Sequence, residues 1–247
     1  MAITDWPMQE RPREKLLHHG ANALSEAELL AVLFRTGVKG KTAVDIAREA
    51  INKFGSLHKL LNASPQHLCQ EKGFGIAKYV QLQCAVEIGR RHLQASLQNE
   101  DVLRRPEETR LYLLSQLRDH DHEVFACLFL NKQNRIICFE KLFNGTIDCA
   151  NIHPRTILQK ALNYNAAAII LAHNHPSGDP APSQSDKEIT LILNNLLGYF
   201  DINLLDHFII GNGETFSFVE AGLMQKIALA SKRLQLEDVV QWEGVKS

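Results

Sequence analysis

Residues Ala166 to Ala172 (Ala-Ala-Ala-Ile-Ile-Leu-Ala) form a nearly continuous apolar run. A strand of this kind has no polar face to give to water, so it must be covered on both sides. That rules out a simple one-sided hairpin sheet and demands helices on two faces. The flanking pattern supplies them. Pro106 to Leu117 reads as a helix, and Val124–Leu130 and Arg135–Phe143 read as two strands around the turn-like Asn131–Asn134. Pro154–Asn163 is helical, Asp186–Tyr199 is helical, and Ile202–Ile210 and Glu214–Phe218 are strands separated by Gly211-Asn212-Gly213. Alternating strands and helices predict a mixed α/β sheet with flanking helices.

The first part of the chain differs. Ser25 with Glu28 three residues on has the form of a capping box. Lys41 to Phe54 is apolar at helical spacing and stops at Gly55, Ser64-Pro65 starts a short helix, and Ile76 to Leu93 is helical again. The reading is a small all-α domain over 1–97, a polar linker over 98–106, an α/β domain over 107–228 and a loose tail over 229–247. Residues 1–95 hold 13 Lys/Arg against 9 Asp/Glu, and the remainder 14 against 19. A mildly basic part joined to a mildly acidic one suggests two tasks.

With 45% hydrophobic residues the chain can bury a core. Its five cysteines (Cys69, Cys84, Cys127, Cys138, Cys149) are odd in number and nowhere spaced as CxxC, which suits reduced thiols in the cytoplasm. The start, Met1 to Pro7, lacks a basic region followed by a long apolar stretch, so no signal peptide is expected. No apolar run approaches the ~20 residues of a membrane span. No membrane partner is expected.

The apolar run gives way to a polar, Pro-rich loop read over His173–Ser185, which opens with His173 and His175. In extended backbone, residues i and i+2 project to the same side, so two imidazoles can share one ion. A Pro/Gly loop then leads to Asp186. Two nitrogens and a carboxylate oxygen suit Zn2+, one per chain, and leave its fourth tetrahedral position open for chemistry, whereas a closed structural site takes four protein ligands.

His173-Asn174-His175 with Pro176, Ser183 and Asp186 resembles the His-x-His, seven residues, Ser, two residues, Asp signature of the JAB/MPN (JAMM) metalloenzymes. Gly145-Thr146, His153-Pro154-Arg155, Ser177-Gly178 and Asp206-His207-Phe208-Ile209-Ile210 make the resemblance narrower, to the bacterial RadC family, over essentially the whole chain. The resemblance implies a zinc metallohydrolase acting on a peptide or protein substrate. It also implies an upstream Glu as general base. Glu123, opening the strand Val124–Leu130, is the preferred candidate, and Glu140 on the next strand is the other. Ser183 would stabilise an oxyanion, or cap the helix begun near Asp186, since Ser183-Gln184-Ser185-Asp186 also reads as a capping box. Family members often carry Glu after His-Pro-Arg where this chain has Thr156, a position outside the metal signature. His153 and Asp206-His207 could support the ligands from behind or be satisfied structural groups.

Cys69 to Lys78, with Gly73-Phe74-Gly75, resembles the hairpin of a helix-hairpin-helix module. This implies sequence-independent DNA contact through Gly73, Gly75 and Lys78, with main-chain N–H groups facing a phosphate. The traditional association of the RadC family with DNA repair or recombination gives the second reading, in which the zinc domain is structural or accessory. Thr36 to Thr42 ends in Gly-Lys-Thr, yet it lacks the preceding strand and the spacing of a phosphate-binding loop.

Overall fold

The structure, a computed structural model, describes residues 3–98, 100–145 and 152–229. The chain divides into two compact units, Met1–Gly89 and Arg90–Ser247.

The first unit is helical: α1 (Pro12–His19), α2 (Glu26–Phe34), α3 (Ala43–Phe54), α4 (Leu57–Leu61), α5 (Pro65–Cys69) and the start of α6 (Ile76–Gln98). Short side-chain caps set the helix starts. Ser25 accepts from Glu28 N while Glu28 Oε2 accepts from Ser25 N at 2.7 Å, the expected capping box. Thr42 and Asp45 repeat the device on α3. Gly55 ends α3 in the left-handed conformation, at φ 85°. Leu30, Phe34, Ile46, Ala47, Leu60, Leu68, Phe74 and Leu82 form the core. Gly73 sits at φ +95°, and a Cβ there would come within 3.0 Å of Ile46 Cδ1, so the turn requires glycine.

Two features lie at the expected linker. Helix α6 continues to Gln98 rather than stopping at Leu93, since Leu97 is fully buried. Val102 is also buried, and its N–H donates to Asn134 O at 3.1 Å.

The second unit is a five-stranded mixed sheet with helices on both faces. Its strands are β1 (Val124–Leu130), β2 (Ile136–Asn144), β3 (Ala168–Asn174), β4 (Asn203–Ile210) and β5 (Thr215–Ser217), in the order β2-β1-β3-β4-β5. Only β3 and β4 are parallel; the other neighbours are antiparallel. A parallel pair needs a crossover, which α9 (Gln184–Gly198) supplies. Alternation along the strands sorts side chains to two cores. Ala126, Leu128, Ile170, Ala172 and Phe208 meet α7 (Pro106–Leu117) through Tyr112, Leu113 and Leu117. Phe125, Cys127, Phe129, Ile169 and Leu171 meet α8 (Pro154–Asn163) and α9 through Ile157, Ala161, Ile189 and Leu193. All seven residues of β1 and of β3 are buried.

The buried strand lies two residues further along than the apolar run suggests. Asn174 still pairs with Ile210, and His175 N still donates to Ile210 O at 2.9 Å. His173 is therefore inside the sheet and not in the loop, because β4 continues to offer partners after the apolar residues run out. Thr146 and Cys149, and all but the first residue of the expected tail, fall outside the described residues.

Candidate metal centre

The ends of β3 and the start of α9 bring His173, His175 and Asp186 together. His173 Nε2 lies 3.0 Å from His175 Nε2 and 3.1 Å from Asp186 Oδ1, and His175 Nε2 lies 3.5 Å from Asp186 Oδ2. Donors placed about 2.0–2.1 Å from a tetrahedral zinc are separated by roughly 3.3–3.4 Å, so the three groups already have the spacing of such a shell. Their chemistry points the same way. His175 Nδ1 faces the Asp179 carbonyl at 2.8 Å and must donate to it, which leaves Nε2 of the neutral ring as an acceptor. A bare imidazole nitrogen and a carboxylate converge on one point, and a cation satisfies both.

The electrostatics follow. The Asp186 carboxylate beside it raises the His175 pKa by favouring the protonated ring, against the opposing effect of burial, and the charge of Glu123 adds to it. Burial alone would raise the Asp186 carboxyl; the His173 and His175 rings beside it overcome this and hold it well below the usual carboxylate range. His173 and Asp186 are almost fully buried, whereas His175 is partly exposed, so the site opens on the His175 side.

The loop between His175 and Asp186 is held by a tight approach. Asn212 N donates to Gly178 O at 3.0 Å, and a Cβ on Gly211 would meet that same oxygen at 2.5 Å. Ser183 is the N-cap of α9, with its hydroxyl 2.6 Å from Asp186 Oδ2 and accepting from Asp186 N at 3.1 Å. The capping-box geometry is thus present, and it fixes the carboxylate that faces the histidines.

The two acidic candidates lie in different surroundings. Glu140 is held by Lys160 Nζ at 2.9 Å and by the Tyr164 hydroxyl. Burial would raise its pKa, but these two partners prevail and lower it. It sits opposite Cys127, two residues along β1 from the Phe125–His173 pair. Glu123 immediately precedes β1, its carbonyl accepts from Gly145 N at 2.9 Å, and its charge reaches His175.

Asn174, between the two histidines, carries a role that the sequence reading passed over. It faces the other side of the sheet, is 2% exposed, and uses its whole amide: Oδ1 accepts from Val124 N at 2.8 Å, and Nδ2 donates to His122 O at 3.0 Å and His120 O at 3.2 Å. It thereby ties down the segment that bears Glu123. A polar residue buried within an apolar strand was the available signal.

Of the other candidates, His153 is exposed and packs edge-on against Phe143. Asp206 is buried and bonded to Ser217 Oγ, Val219 N and His207 N. His207 stands behind His173, with His207 Nε2 2.9 Å from His173 Nδ1. In the helical unit, Lys78 Nζ donates to Gly73 O at 2.7 Å and lies over the Phe34 ring, and burial lowers its pKa. Lys78 therefore closes the glycine turn on itself. Among the described residues no helix is long and apolar enough to cross a membrane.

Comparison with known proteins agrees with this architecture. Residues 103–223 match the RadC-like JAB domain, a JAMM-superfamily fold, and residues 3–80 match the UPF0758 N-terminal family. The UPF0758 protein of Nitrosococcus oceani is 58% identical over 224 residues, covering 91% of this chain and all of the relative. A UPF0758 protein of Thioalkalivibrio sulfidiphilus is 55% identical over the same shares, and that of Cellvibrio japonicus 54% identical over 90% of this chain and 99% of its own. With its helical N-terminal unit, its five-stranded mixed sheet and a His-His-Asp cluster between the end of β3 and the start of α9, the chain belongs to the UPF0758 family, with a RadC-like JAB domain as its C-terminal part.

Proposed function

We propose that the protein is a single-zinc hydrolase of the JAMM type, cleaving an amide, peptide or isopeptide bond. The observation that carries this reading is the convergence of His173 Nε2, His175 Nε2 and an Asp186 carboxylate oxygen at 3.0–3.5 Å from one another. Three ligands in place leave a tetrahedral ion one open position. Zinc held there would supply a Lewis acid for the substrate carbonyl and lower the pKa of a bound water toward neutrality.

The residues of the chain do the rest. Glu123 accepts the proton of the attacking water and returns it to the departing amine nitrogen, the task of a general base turned general acid. Asn174 holds the Glu123 segment in register with the ligands. Ser183 supplies a hydroxyl near the reacting carbonyl; the hydrogen bond it now donates to Asp186 Oδ2 must turn toward the developing oxyanion. Glu140 is committed to Lys160 and Tyr164, which favours Glu123 as the base.

Metal analysis of the purified protein tests the centre, with one zinc per chain expected; well under one would sink the reading. Glu123→Gln is expected to keep that zinc and to lose at least about 100-fold in turnover, the scale of a missing general base. If Glu140→Gln does this instead, the base is Glu140.

DNA contact by the N-terminal unit is a separate proposal, resting on the Gly73–Gly75 turn. With Lys78 turned onto Gly73 O, any phosphate there would be met by main-chain N–H groups. Binding of a nonspecific duplex by the full chain should weaken steeply with salt. No binding at low salt would end this proposal.

A further inference from the structure

We propose that His207, oriented by Thr190, is a positioning residue of the metal centre, fixing the tautomer in which His173 presents a bare Nε2 to the ion; this rests on the metal reading above. The relay starts at a group with no choice. The backbone carbonyl of Asp186 can only accept, so the Thr190 hydroxyl bonded to it must donate its one proton there. The same Thr190 oxygen lies 2.7 Å from His207 Nδ1. Its proton is spent, so it accepts, and Nδ1 of His207 carries the hydrogen. A neutral imidazole has one ring proton. Nε2 of His207 is therefore bare and accepts from Nδ1 of His173, 2.9 Å away. His173 has then used its own ring proton, and its Nε2 faces His175 and Asp186 as a lone pair. Run in the opposite sense, the chain would put a proton on the very nitrogen the ion needs.

The fold places His207 for this by a local irregularity. The pairing of β3 with β4 runs Ile169 with Leu204, then Ile170 with Asp206 and Leu171 with His207, so Leu205 is an extra residue. Without that bulge Asp206 would stand opposite Leu171, and His207 would point to the α7 face, away from His173. Bulges commonly re-aim a side chain beside a functional site. Once on the metal face, the His207 ring is clamped: it stacks on Phe218 and meets Phe125 edge-on, with centroids 4.9 and 5.8 Å away. His207 and Thr190 are both fully buried, so water cannot substitute for either partner. The relay joins His173 to the backbone of Asp186, two ligands from separate elements.

The test compares wild type, Thr190→Val, Thr190→Ser and His207→Phe. Zinc affinity is measured by chelator competition, and the protonated ring nitrogen of His173 by long-range 15N–1H correlation spectra of the metal-free protein. Thr190→Val is nearly isosteric and removes only the hydroxyl. It should weaken zinc binding by roughly 10–100-fold and mix the His173 tautomers, with Thr190→Ser restoring both. His207→Phe should weaken zinc binding at least as much, and the threonine pair decides the matter if that variant does not fold. Wild-type affinity together with an unmixed His173 tautomer in Thr190→Val would overturn the inference while leaving the metal centre intact. A wild type that takes up no zinc overturns the metal reading and this inference with it.

Discussion

Asp186→Ala is expected to abolish stoichiometric zinc while leaving the domain folded. The carboxylate is the anionic member of the proposed ligand set, and it is buried beside His173. Its loss leaves two imidazoles, one partly exposed, which cannot hold the ion against dilution. The structural cost is smaller. Oδ2 accepts from Ser183 N at 2.7 Å, so half of a capping box goes, a loss of about 1 kcal/mol. Ser183 still caps the amide of residue 186. Asp186→Asn separates the two effects, because its amide oxygen can accept from Ser183 N yet brings no charge. Both variants should purify with little metal after dialysis, with the Asn variant closer to metal-free wild type in melting temperature. His173→Ala should lose the metal equally. Mass-spectrometric metal counting decides the point, and one zinc retained per chain in Asp186→Ala would remove it from the ligand set.

Asn174→Ala should act in the opposite way, costing stability and local order more than metal. Three main-chain groups (Val124 N, His120 O and His122 O) depend on that one amide. A buried group left without its partner costs about 1–3 kcal/mol. Partial access of water to the loop carbonyls brings the expected total to about 3 kcal/mol, or roughly 6–12 °C in melting temperature for a chain of this size. Asn174→Asp should be no better, since a carboxylate keeps the bond to Val124 N but turns an acceptor toward two carbonyls. Either variant should still bind zinc, because His173 keeps its pairing with Phe125 and Ile209. Hydrogen exchange at Val124 should quicken, and turnover should fall as Glu123 loses its fixed place. Unchanged exchange at Val124 would show that the loop is held by something else.

These residues also show how far the sequence could be read. The double-faced strand, the helices around it and the grouping of His173, His175 and Asp186 were legible, because each leaves a local mark: an unbroken apolar run, 3.6-residue periodicity, or a His-x-His beside a Pro/Gly loop. The helical extension through Leu97 was not, since its burial comes from residues distant in sequence. Nor was the shift that draws His173 into the sheet, which depends on the length of β4. Asn174 and Thr190 escaped for the same reason. Each is an ordinary polar residue whose meaning lies in which carbonyl or amide the fold brings to it. His207 was visible as a candidate, but the bulge at Leu205 that aims it has no one-dimensional signature.

Strand β3 carries one further consequence. His173 projects to one face and Asn174 to the other, so the strand alternates between the His-His-Asp cluster and the segment that carries Glu123. Displacing β3 by a single residue would exchange these faces, sending the imidazole toward α7 and the amide toward Asp186. A sheet slipped by one residue therefore keeps neither half of this arrangement. With zinc bound as proposed, metal uptake would report this alignment: chains that recover zinc after dilution from denaturant should have the native register, and those slipped by one residue should stay empty.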